Sequence, residues 1–399
     1  MASNTLLSGI RVLELGHIVA GPSAGLIMAE LGADVIKIEN PKGGDQARAL
    51  PDQSAFLTFN RNKRSMALDL KHPHGSEVFS ELLRRADVVV DNFAAGALDR
   101  LGFSYEEMAK ISPRIIQCSI KGFLAGPYGD RPLLDEPAQM MGGLAYMTGP
   151  RGQPLRAGAS VTDIGAAMFG VIGVLAALNE RNHTGRGQSI RSGLFETVVF
   201  FVAQHMTRAA MTGLVPTPVP ERSIGKNMGW AIYRIFPTKD DRQLFVGVTS
   251  DAHWERFCKE FCLADLWEDL SLRTNRDRVK QQARCNERVA QVVAANTQKD
   301  MIERMERCKV PYAEVNTPMD VFQDPHLRGR DHFLNVTAAD GATVEVAGLP
   351  LTFSSGEDLP RLNPPTLGQH TVEIMQELGY SSEKIESLMK EGAIGGKAN

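Results

Sequence analysis

The sequence predicts an α/β fold built on a doubly wound, mainly parallel sheet, and three observations support this class. Short apolar strands alternate with helical segments through the first 120 residues, an order typical of parallel sheets covered by helices. The first strand, helix and strand form a β-α-β unit about 30 residues long. A long apolar segment further along predicts a buried core helix, and the 43% apolar content of the 399 residues suffices for large cores.

The elements follow in chain order. The stretch GIRVLELG predicts a strand, Pro22 stands where the next helix would begin, and Asp34–Glu39 predicts the second strand. Crossovers of this kind are right-handed and join parallel strands. The pattern continues with strands over Ser65–Leu70, Asp87–Phe93 and Arg114–Ile120, and with helices over HGSEVFSELLRRA and SYEEMAKI.

The second half of the chain predicts a change of domain. Residues 164–178 are apolar on every face and predict a core helix, shorter than the roughly 20 apolar residues that span a bilayer. The stretch SIRSGLFETVVFFVAQHM predicts a second, largely buried helix. Clustered prolines then indicate a linker over residues 206–224, followed by a small α+β domain over 225–319 that contains the strand RQLFVGVT. The C-terminal stretch predicts two helices joined at Gly379–Tyr380.

The composition excludes several classes of function. With 44 basic and 47 acidic residues the net charge is -3, so neither a nucleic-acid nor an anionic-membrane partner is indicated. Five scattered cysteines without a CxxC pair indicate a reducing, cytoplasmic setting and no metal site. The N-terminal stretch lacks the pattern of a secretory signal.

The turn after the first strand is a candidate binding site. Its glycines are spaced G-x4-G-x3-G, which does not fit the dinucleotide pattern and disfavours NAD. A nucleotide-like ligand remains reasonable because α/β proteins bind ligands at the carboxyl ends of their strands, although His17 could equally be a packed histidine. A cationic rim suited to phosphates, or simply solvated surface charge, is predicted from Lys63, Arg64, Lys71, Arg100 and Lys121.

Asp163 stands directly before the apolar helix segment and has two interpretations. It could be a helix cap, since a carboxylate at a helix N-terminus gains about 0.3 to 1 kcal/mol. The same placement would keep the carboxylate ionised beside a dry apolar helix, where it could act as a covalent nucleophile toward an activated acyl group. The small residues of AGAS before it leave room for a bulky ligand. The two interpretations are compatible.

Several motifs together resemble the class III CoA-transferases, the CaiB/BaiF family. They cover nearly the whole chain in order, apart from about residues 210–300, and include LSGIRVLELGHIVAGPSAGLIMAELGADVIKIENPKGGDQAR, NRNKRSMALDLKHPHG, ADVVVDNFAAGALDRLGF, RIIQCSIKGF, AGASVTDIGAAMFGVIGVLAAL with TGRGQ, and LGQHTVEIMQELGYS. The resemblance implies a large Rossmann-like CoA-binding domain over 1–215 plus 320–399, an inserted small domain, and an interlocked homodimer.

The resemblance also implies a mechanism and its residues. Asp163 takes the place of the family's catalytic aspartate, which forms an aspartyl anhydride and then an aspartyl-CoA thioester. Acyl-CoA is the substrate, and neither a permanently bound cofactor nor a metal is implied. Asp135 and Gln139 fall at positions that support the active site. The family's CoA contacts fall on His17, Ile18, Val19, Ala20, Leu68, Asp69, Leu70, Lys71, Asn92, Phe93, Ala94 and Arg100.

Rival functions and the identity of the substrate stay open at this stage. An α-methylacyl-CoA racemase would need a histidine where Leu134 stands, because leucine cannot transfer a proton. A thioester hydrolase and an inactive CoA-binding protein also stay open. The donor is expected to be succinyl-CoA or similar. Arg222 and Lys226 favour a dicarboxylate acceptor such as succinate, glutarate, or a mesaconate- or itaconate-like acid.

Overall fold

The computed structural model describes residues 6–222, 229–354 and 362–396. The chain divides into two compact units. The large unit comprises Met1–Ala145, Arg156–Thr212 and Gly329–Asn399, and the small unit comprises Tyr146–Leu155 and Gly213–Arg328.

The strands of the described residues are β1 (Arg11–Glu14), β2 (Asp34–Glu39), β3 (Lys63–Leu68), β4 (Val88–Asp91), β5 (Ile116–Lys121), β6 (Ser189–Gly193), β7 (Ile232–Pro237), β8 (Gln243–Val248), β9 (Tyr312–Glu314), β10 (Phe333–Thr337), β11 (Thr343–Ala347) and β12 (Ile394–Gly395). The helices are α1 (Ala20–Glu30), α2 (Ser54–Phe59), α3 (Pro73–Arg84), α4 (Ala97–Arg100), α5 (Tyr105–Ile111), α6 (Asp135–Met141), α7 (Leu144–Thr148), α8 (Val161–Thr184), α9 (Leu194–Thr212), α10 (Val219–Arg222), α11 (Asp251–Glu260), α12 (Ala264–Trp267), α13 (Asn275–Lys280), α14 (Gln282–Ala294), α15 (Gln298–Cys308), α16 (Pro318–Val321), α17 (Pro325–Arg328), α18 (Thr371–Glu377) and α19 (Ser382–Lys390). Two short 3-10 helices span Gln46–Ala49 and Leu270–Leu272.

A seven-stranded sheet organises the large unit. Its strand order is β12-β3-β2-β1-β4-β5-β6, and every pairing is parallel except that of β12 with β3. The chain therefore winds outward from β1 to β3 and then returns to the other side of β1 at β4. The predicted α/β class with a mainly parallel sheet is confirmed. Because the winding reverses between β1 and β4, a crevice opens at their carboxyl ends, where such folds bind ligands.

The strands of this sheet are apolar because helices cover both of its faces. Alternate residues enter opposite cores: Val89 faces one core, whereas Val88 and Val90 face the other. The first core is closed by α3, α5, α18 and α19, and the second by α1, α6, α8 and α9. The helix predicted from residues 164–178 is α8, which packs against α1, β5 and α9.

The structure corrects several sequence expectations. Strand β3 begins two residues earlier than predicted, and SIRSG is a strand because it pairs with β5. Helix α9 extends through Thr212, so residues 206–212 are helical rather than linker. The helix is also far from buried, with Phe200 64% exposed. The last strand, β12, was not predicted, since two residues carry no periodicity.

Helix α8 is also longer than the sequence predicted. At 24 residues it is long and apolar enough, by length and composition alone, to cross a membrane, which corrects the expectation that it would be too short. A buried core helix has the same two properties, and one such helix decides little. Its packing against the central sheet favours the core helix.

The small unit has a three-stranded antiparallel sheet in the order β7-β8-β9. Trp254 and Phe257 of α11 are fully buried in its core, with side chains of α14 and α15. The strand predicted from RQLFVGVT is β8. The hairpin of β10 and β11 belongs to the large unit.

Helix α8 packs closely on β5 at Gly170. A Cβ on Gly170 would lie 2.9 Å from the Sγ of Cys118. We expect Gly170→Val to lower the free energy of unfolding by about 1–3 kcal/mol, because the overpacked side chain must displace its neighbours. Urea unfolding measures the change. Cys118→Ala in the same chain should recover part of the loss, and simple additivity of the two changes would contradict this contact.

Candidate functional site

A cleft of about 1010 Å³ lies in the large unit, at the carboxyl ends of β1, β4 and β5. It is thus at the crevice where the sheet reverses its winding. Four chain segments supply most of its wall: the turn after β1, the turn after β4, the loop between β5 and α6, and the start of α8. The lining residues are 17–20, 46, 92–95, 97, 120–122, 129–137, 160, 163 and 194.

Asp163 enters this cleft from the first turn of α8. The helix begins at Val161, and Ser160 occupies the N-cap position without a side-chain cap hydrogen bond. The capping role belongs to a different carboxylate. Asp135 Oδ1 accepts hydrogen bonds from the N–H groups of Thr162 (2.8 Å) and Asp163 (3.2 Å). Among the described residues no helix N–H donates to Asp163 itself, so its side chain is not the cap.

Asp135 is held in place by its own helix. Gln139, one turn further along α6, donates from Nε2 to Asp135 Oδ2 at 2.6 Å. The Oε1 of Gln139 in turn accepts the N–H of Ala157 at 2.8 Å. Both carboxylate oxygens of Asp135 therefore have donors, as a buried carboxylate requires. The sequence motif DEPAQ supplies both residues because positions four apart face each other on a helix.

The electrostatics of Asp163 differ from the sequence expectation. Burial raises the pKa of Asp163 to about 7, and the negative charge of Asp135 adds to the effect. The helix N-terminus does not keep this carboxylate strongly ionised, which corrects that prediction. A carboxyl group with a pKa near neutrality exchanges its proton over the physiological pH range. Perturbed groups of this kind concentrate at functional sites.

The turn after β1 forms the floor of the cleft. Asn92 fixes it, because its Oδ1 accepts the N–H of His17 (2.8 Å) and its Nδ2 donates to the carbonyl of His17 (2.9 Å). The next residue, Ile18, has a φ of 63°, a costly conformation for a β-branched side chain. Asp45 Oδ1 stabilises it by accepting the Ile18 N–H at 2.9 Å. The glycine spacing is explained by close approach, since a Cβ on Gly16 would lie 2.7 Å from Gly21 Cα.

The imidazole at this turn is neutral near pH 7. Burial lowers the pKa of His17, although the charge of Asp45 opposes the effect. Its ring stacks on Phe93 with centroids 5.4 Å apart. The cleft therefore offers a neutral, flat, partly apolar surface between the ends of β1 and β4.

A buried ionic cluster supports the same turn from below. Lys37 Nζ lies 2.8 Å from each of three oxygens: Glu14 Oε1, Asp45 Oδ2 and the carbonyl of Gly16. Lys63 Nζ contacts Glu14 Oε2 at 2.5 Å. Burial lowers the pKa of Lys63 to about 8. Sequence analysis missed Glu14, Lys37 and Asp45 as supports of the site. For Glu14 and Lys37 the available signal was a charged residue inside an otherwise apolar strand, whereas Asp45 precedes a short 3-10 helix and carried no such signal.

The cationic rim predicted from the sequence is largely wrong. Lys63 is fully buried in the ionic cluster. Arg64 binds Asp34 and Glu377, and Lys121 binds Asp91. The residues that remain exposed are Lys71 and Arg100.

The predicted CoA contacts are brought together only in part. Residues 17–20 and 92–94 line the same cleft as Asp135 and Asp163, with Gln139 directly behind Asp135. Leu68 lies in the core, and neither Asp69, Leu70, Lys71 nor Arg100 lines the cleft. Lys226 lies outside the described residues, as does the side chain of Arg222. Within the described ranges no three His, Cys, Asp or Glu side chains could together hold a metal ion.

A family model described as CoA-transferase family III matches residues 7–371 of the chain. The chain belongs to this family. Among its relatives is the succinate–glutarate CoA-transferase of Agrobacterium fabrum, 32% identical over 93% of this chain and 95% of the relative. The succinyl-CoA–L-malate CoA-transferase beta subunit of Chloroflexus aurantiacus is also 32% identical, over 97% and 98%.

Solved structures agree with this assignment to family III. A CaiB/BaiF family protein from Brucella suis is 31% identical, with a TM-score of 0.83 over 94% of this chain and 100% of that chain. The protein Rv3272 from Mycobacterium tuberculosis is 26% identical, with a TM-score of 0.81 over 93% and 99%. The resemblance seen in the sequence is confirmed, and the chain is a transferase enzyme.

The raised pKa of Asp163 predicts a pH-dependent stability of this family III enzyme. The folded state keeps the Asp163 proton up to about pH 7, whereas an unfolded aspartate loses it near 3.8. Stability contributed by this proton is therefore present below pH 3.8 and is lost as the pH rises through 7. We expect Asp163→Asn to stabilise the protein at pH 8 by on the order of 2 kcal/mol, with little gain near pH 4.

Thermal unfolding of both proteins across this pH range measures the effect. Asp99→Asn, which removes an exposed carboxylate of α4, controls for the loss of one negative charge. A stability gain from Asp163→Asn that is the same at both pH values would contradict the assignment.

Proposed function

We propose that this enzyme transfers CoA from an acyl-CoA donor to a free dicarboxylic acid, with Asp163 as the covalent nucleophile. The observation that carries the proposal is a half-buried carboxylate that faces a large cleft and, among the described residues, has no capping role. Asp135 performs that role instead, through its bonds to Thr162 and Asp163. Because Asp163 does not cap the helix, its carboxylate at the cleft is available to react.

The first half of the reaction makes an aspartyl-CoA thioester. An ionised Oδ of Asp163 attacks the thioester carbonyl of the donor, and the C–S bond breaks to release CoA thiolate. The product is a mixed anhydride between Asp163 and the acyl group. The thiolate then attacks Cγ of Asp163, which releases the donor acid as a carboxylate. Dividing one acyl exchange in this way replaces a difficult step with easier ones.

The second half repeats these steps with the acceptor. The acceptor carboxylate attacks Cγ of aspartyl-CoA, CoA thiolate leaves, and a new mixed anhydride forms. The thiolate attacks the acceptor's carbonyl carbon, which gives the new acyl-CoA and regenerates the Asp163 carboxylate. No water, oxidant or reductant is consumed. Because water would hydrolyse the anhydride, the cleft must exclude it.

Burial of Asp163 suits this chemistry. A carboxylate that is poorly solvated is raised in free energy, as the shift of its pKa to about 7 reflects. The anhydride and the thioester on Asp163 carry no charge, so burial does not disfavour them. The same desolvation that holds a proton on the resting enzyme therefore favours the acylated states. Transfer should accelerate as the pH rises through 7 in the free enzyme.

We assign CoA to the two turns that meet at the sheet reversal. Residues 17–20 and 92–94 line the cleft, and the thioester end would lie against them. Lys71 and Arg100 are exposed outside the cleft, where they suit the phosphate groups of CoA, since ion pairs with phosphate are charge-assisted. Leu68 ends β3, and Asp69 and Leu70 connect it to Lys71; these three residues would act through position alone.

Succinyl-CoA or a similar thioester is the proposed donor. The names of several relatives pair CoA with dicarboxylates: succinate with glutarate, succinyl-CoA with L-malate, and formyl-CoA with oxalate. This supports a dicarboxylic acceptor here. Arg222 and Lys226, expected from the sequence to hold its second carboxylate, have no described side chains and add no support. Racemisation is less well supported, because proton exchange needs an acid and a base, and the cleft presents Leu134, 73% exposed, at the position where a racemase would need histidine.

We further propose that two copies form an interlocked homodimer. An apolar face on α8 and α9 is exposed in the single chain: Ile172 is 58% and Phe200 64% exposed. Met168, Phe169 and Leu175 belong to the same exposed face of α8. A second copy would bury this face, since soluble proteins rarely leave contiguous apolar patches in water.

Removal of the Asp163 nucleophile should abolish transfer. We expect Asp163→Asn to lower kcat by at least about 10³-fold, because the covalent route is closed. Incubation of the wild type with acyl-CoA, followed by hydroxylamine, should leave a hydroxamate on Asp163, detected by peptide mass spectrometry. Asp99→Asn should keep both the rate and the adduct. An adduct at a different residue, or full activity of Asp163→Asn, would overturn the mechanism.

The dimer is tested by mass in solution. Light scattering on an eluting sample should give two chains of 43.6 kDa each. Ile172→Asp combined with Phe200→Asp should shift the protein toward monomer, because a charge in an apolar interface loses its hydration. Leu6→Asp, at an exposed leucine elsewhere, should leave the dimer intact. A wild-type monomer at micromolar concentration would contradict the proposal.

A further inference from the structure

Arg131 is the one residue of the cleft wall, among those described, that offers a cation without a carboxylate partner. The other two basic side chains in the wall are Lys121 and His17. Lys121 binds Asp91 and the carbonyl of Phe93, and burial lowers the pKa of His17. Arg131 is exposed, and its backbone N–H donates to the carbonyl of Tyr128 at 2.9 Å. Its guanidinium is therefore free to meet an anion in the same cleft as Asp163.

An aromatic stack holds this guanidinium in position. The Cζ of Arg131 lies 5.8 Å from the ring centroid of Tyr128. Tyr128 contacts Phe123 at 5.4 Å between centroids, and Phe123 contacts Phe195 at 5.5 Å. Phe123 is buried, so the stack is anchored in the core next to β5. An arginine placed on an aromatic ring loses less freedom when it binds a ligand than a solvated one does.

The surrounding wall of the cleft is rich in acidic side chains. Asp130, Asp135, Glu136 and Asp163 all line the cleft, and they would repel an acid that carries two negative charges. Glu136 is paired at long range with Arg156, 3.8 Å away. Of the described basic groups that line the cleft, the guanidinium of Arg131 is the one without a carboxylate partner, and it can attract a second carboxylate. Its planar fork of donors matches a carboxylate in a bidentate manner.

We infer that Arg131 binds the carboxylate of the dicarboxylic substrate that does not react with Asp163. This rests on the proposed function and gives its substrate class a residue: acids and acyl-CoA thioesters with a free carboxylate at the far end. The free acid and its thioester would both make this contact. An interaction present in ground and transition states alike changes KM more than kcat. Arg131 thus determines specificity rather than the chemical step.

The test compares acceptors of matched length. With succinyl-CoA held constant as the donor, kcat/KM is measured for glutarate against valerate. In Arg131→Gln the preference for the dicarboxylate should fall by about ten-fold or more, mainly through a higher KM. Arg131→Lys keeps the charge but loses the fork, so it should recover part of the preference. Arg114→Gln, an exposed arginine just before β5 and outside the cleft, should leave the preference unchanged.

Covalent labelling separates the two proposals. If Arg131→Gln still forms the Asp163 adduct and keeps the wild-type preference, the inference about Arg131 is overturned while the proposed function stands. If the wild type forms no adduct on Asp163, both are overturned. Thermal unfolding of each variant confirms that the substituted proteins are folded, as expected for an exposed position.

Discussion

The site depends on one hydrogen-bonded contact, that of the Asp135 carboxylate with the first backbone N–H groups of α8. A helix that starts in a buried region needs acceptors for these groups, and the obvious source of an acceptor in the sequence is Asp163 itself. The structure instead brings a carboxylate from α6, fixed by Gln139, to the end of α8. Helix α8 is therefore capped by Asp135, which is distant in the sequence, and not by Asp163 of its own first turn. Asp163 is left at the cleft with a pKa of about 7, and among the described residues no hydrogen bond to its carboxylate would have to break in the proposed reaction.

The opposite wall of the cleft follows from a second arrangement of buried charge. Lys37 bridges Glu14 and Asp45 with its aliphatic stem in the sheet, and Asp45 reaches the strained turn at Ile18. Removing three charges from water is costly, and such clusters give little net stability. Their value here is geometric: the position of the turn is set by Lys37 in β2 and by Asn92 beyond β4, and not by the loop alone. Rigid strands thereby fix the position of this turn more precisely than its own loop could.

Periodicity in the sequence was enough to predict β1, α1 and β2, because elements buried on both faces have an apolar local composition. It failed where pairing with distant segments decides the outcome. In the sequence SIRSG resembles the start of a helix, but in the structure it pairs with β5. Lys63 likewise resembles a surface cation in the sequence, but in the structure it contacts Glu14. Asp163 could be singled out from its isolation before an apolar helix, but the cap at Asp135 lies 28 residues away and no local pattern connects them. The sequence does not single out Arg131, because only its position at the cleft distinguishes it from other exposed arginines.

In the proposed complex, these features would divide CoA between two environments. CoA carries its phosphates at one end and an uncharged thioester at the other. The exposed cations Lys71 and Arg100 lie outside the cleft, where solvated phosphates would lose little hydration, whereas the half-buried carboxyl group of Asp163 lies inside. A site that bound the phosphates deeply would have to supply buried cations, and those would lower the pKa of Asp163 and stabilise its carboxylate. Phosphates bound at the surface, as proposed, would therefore preserve the desolvation on which the proposed nucleophile depends. Arg131 fits the same division, because an exposed guanidinium can bind a distal carboxylate without placing a buried charge beside Asp163.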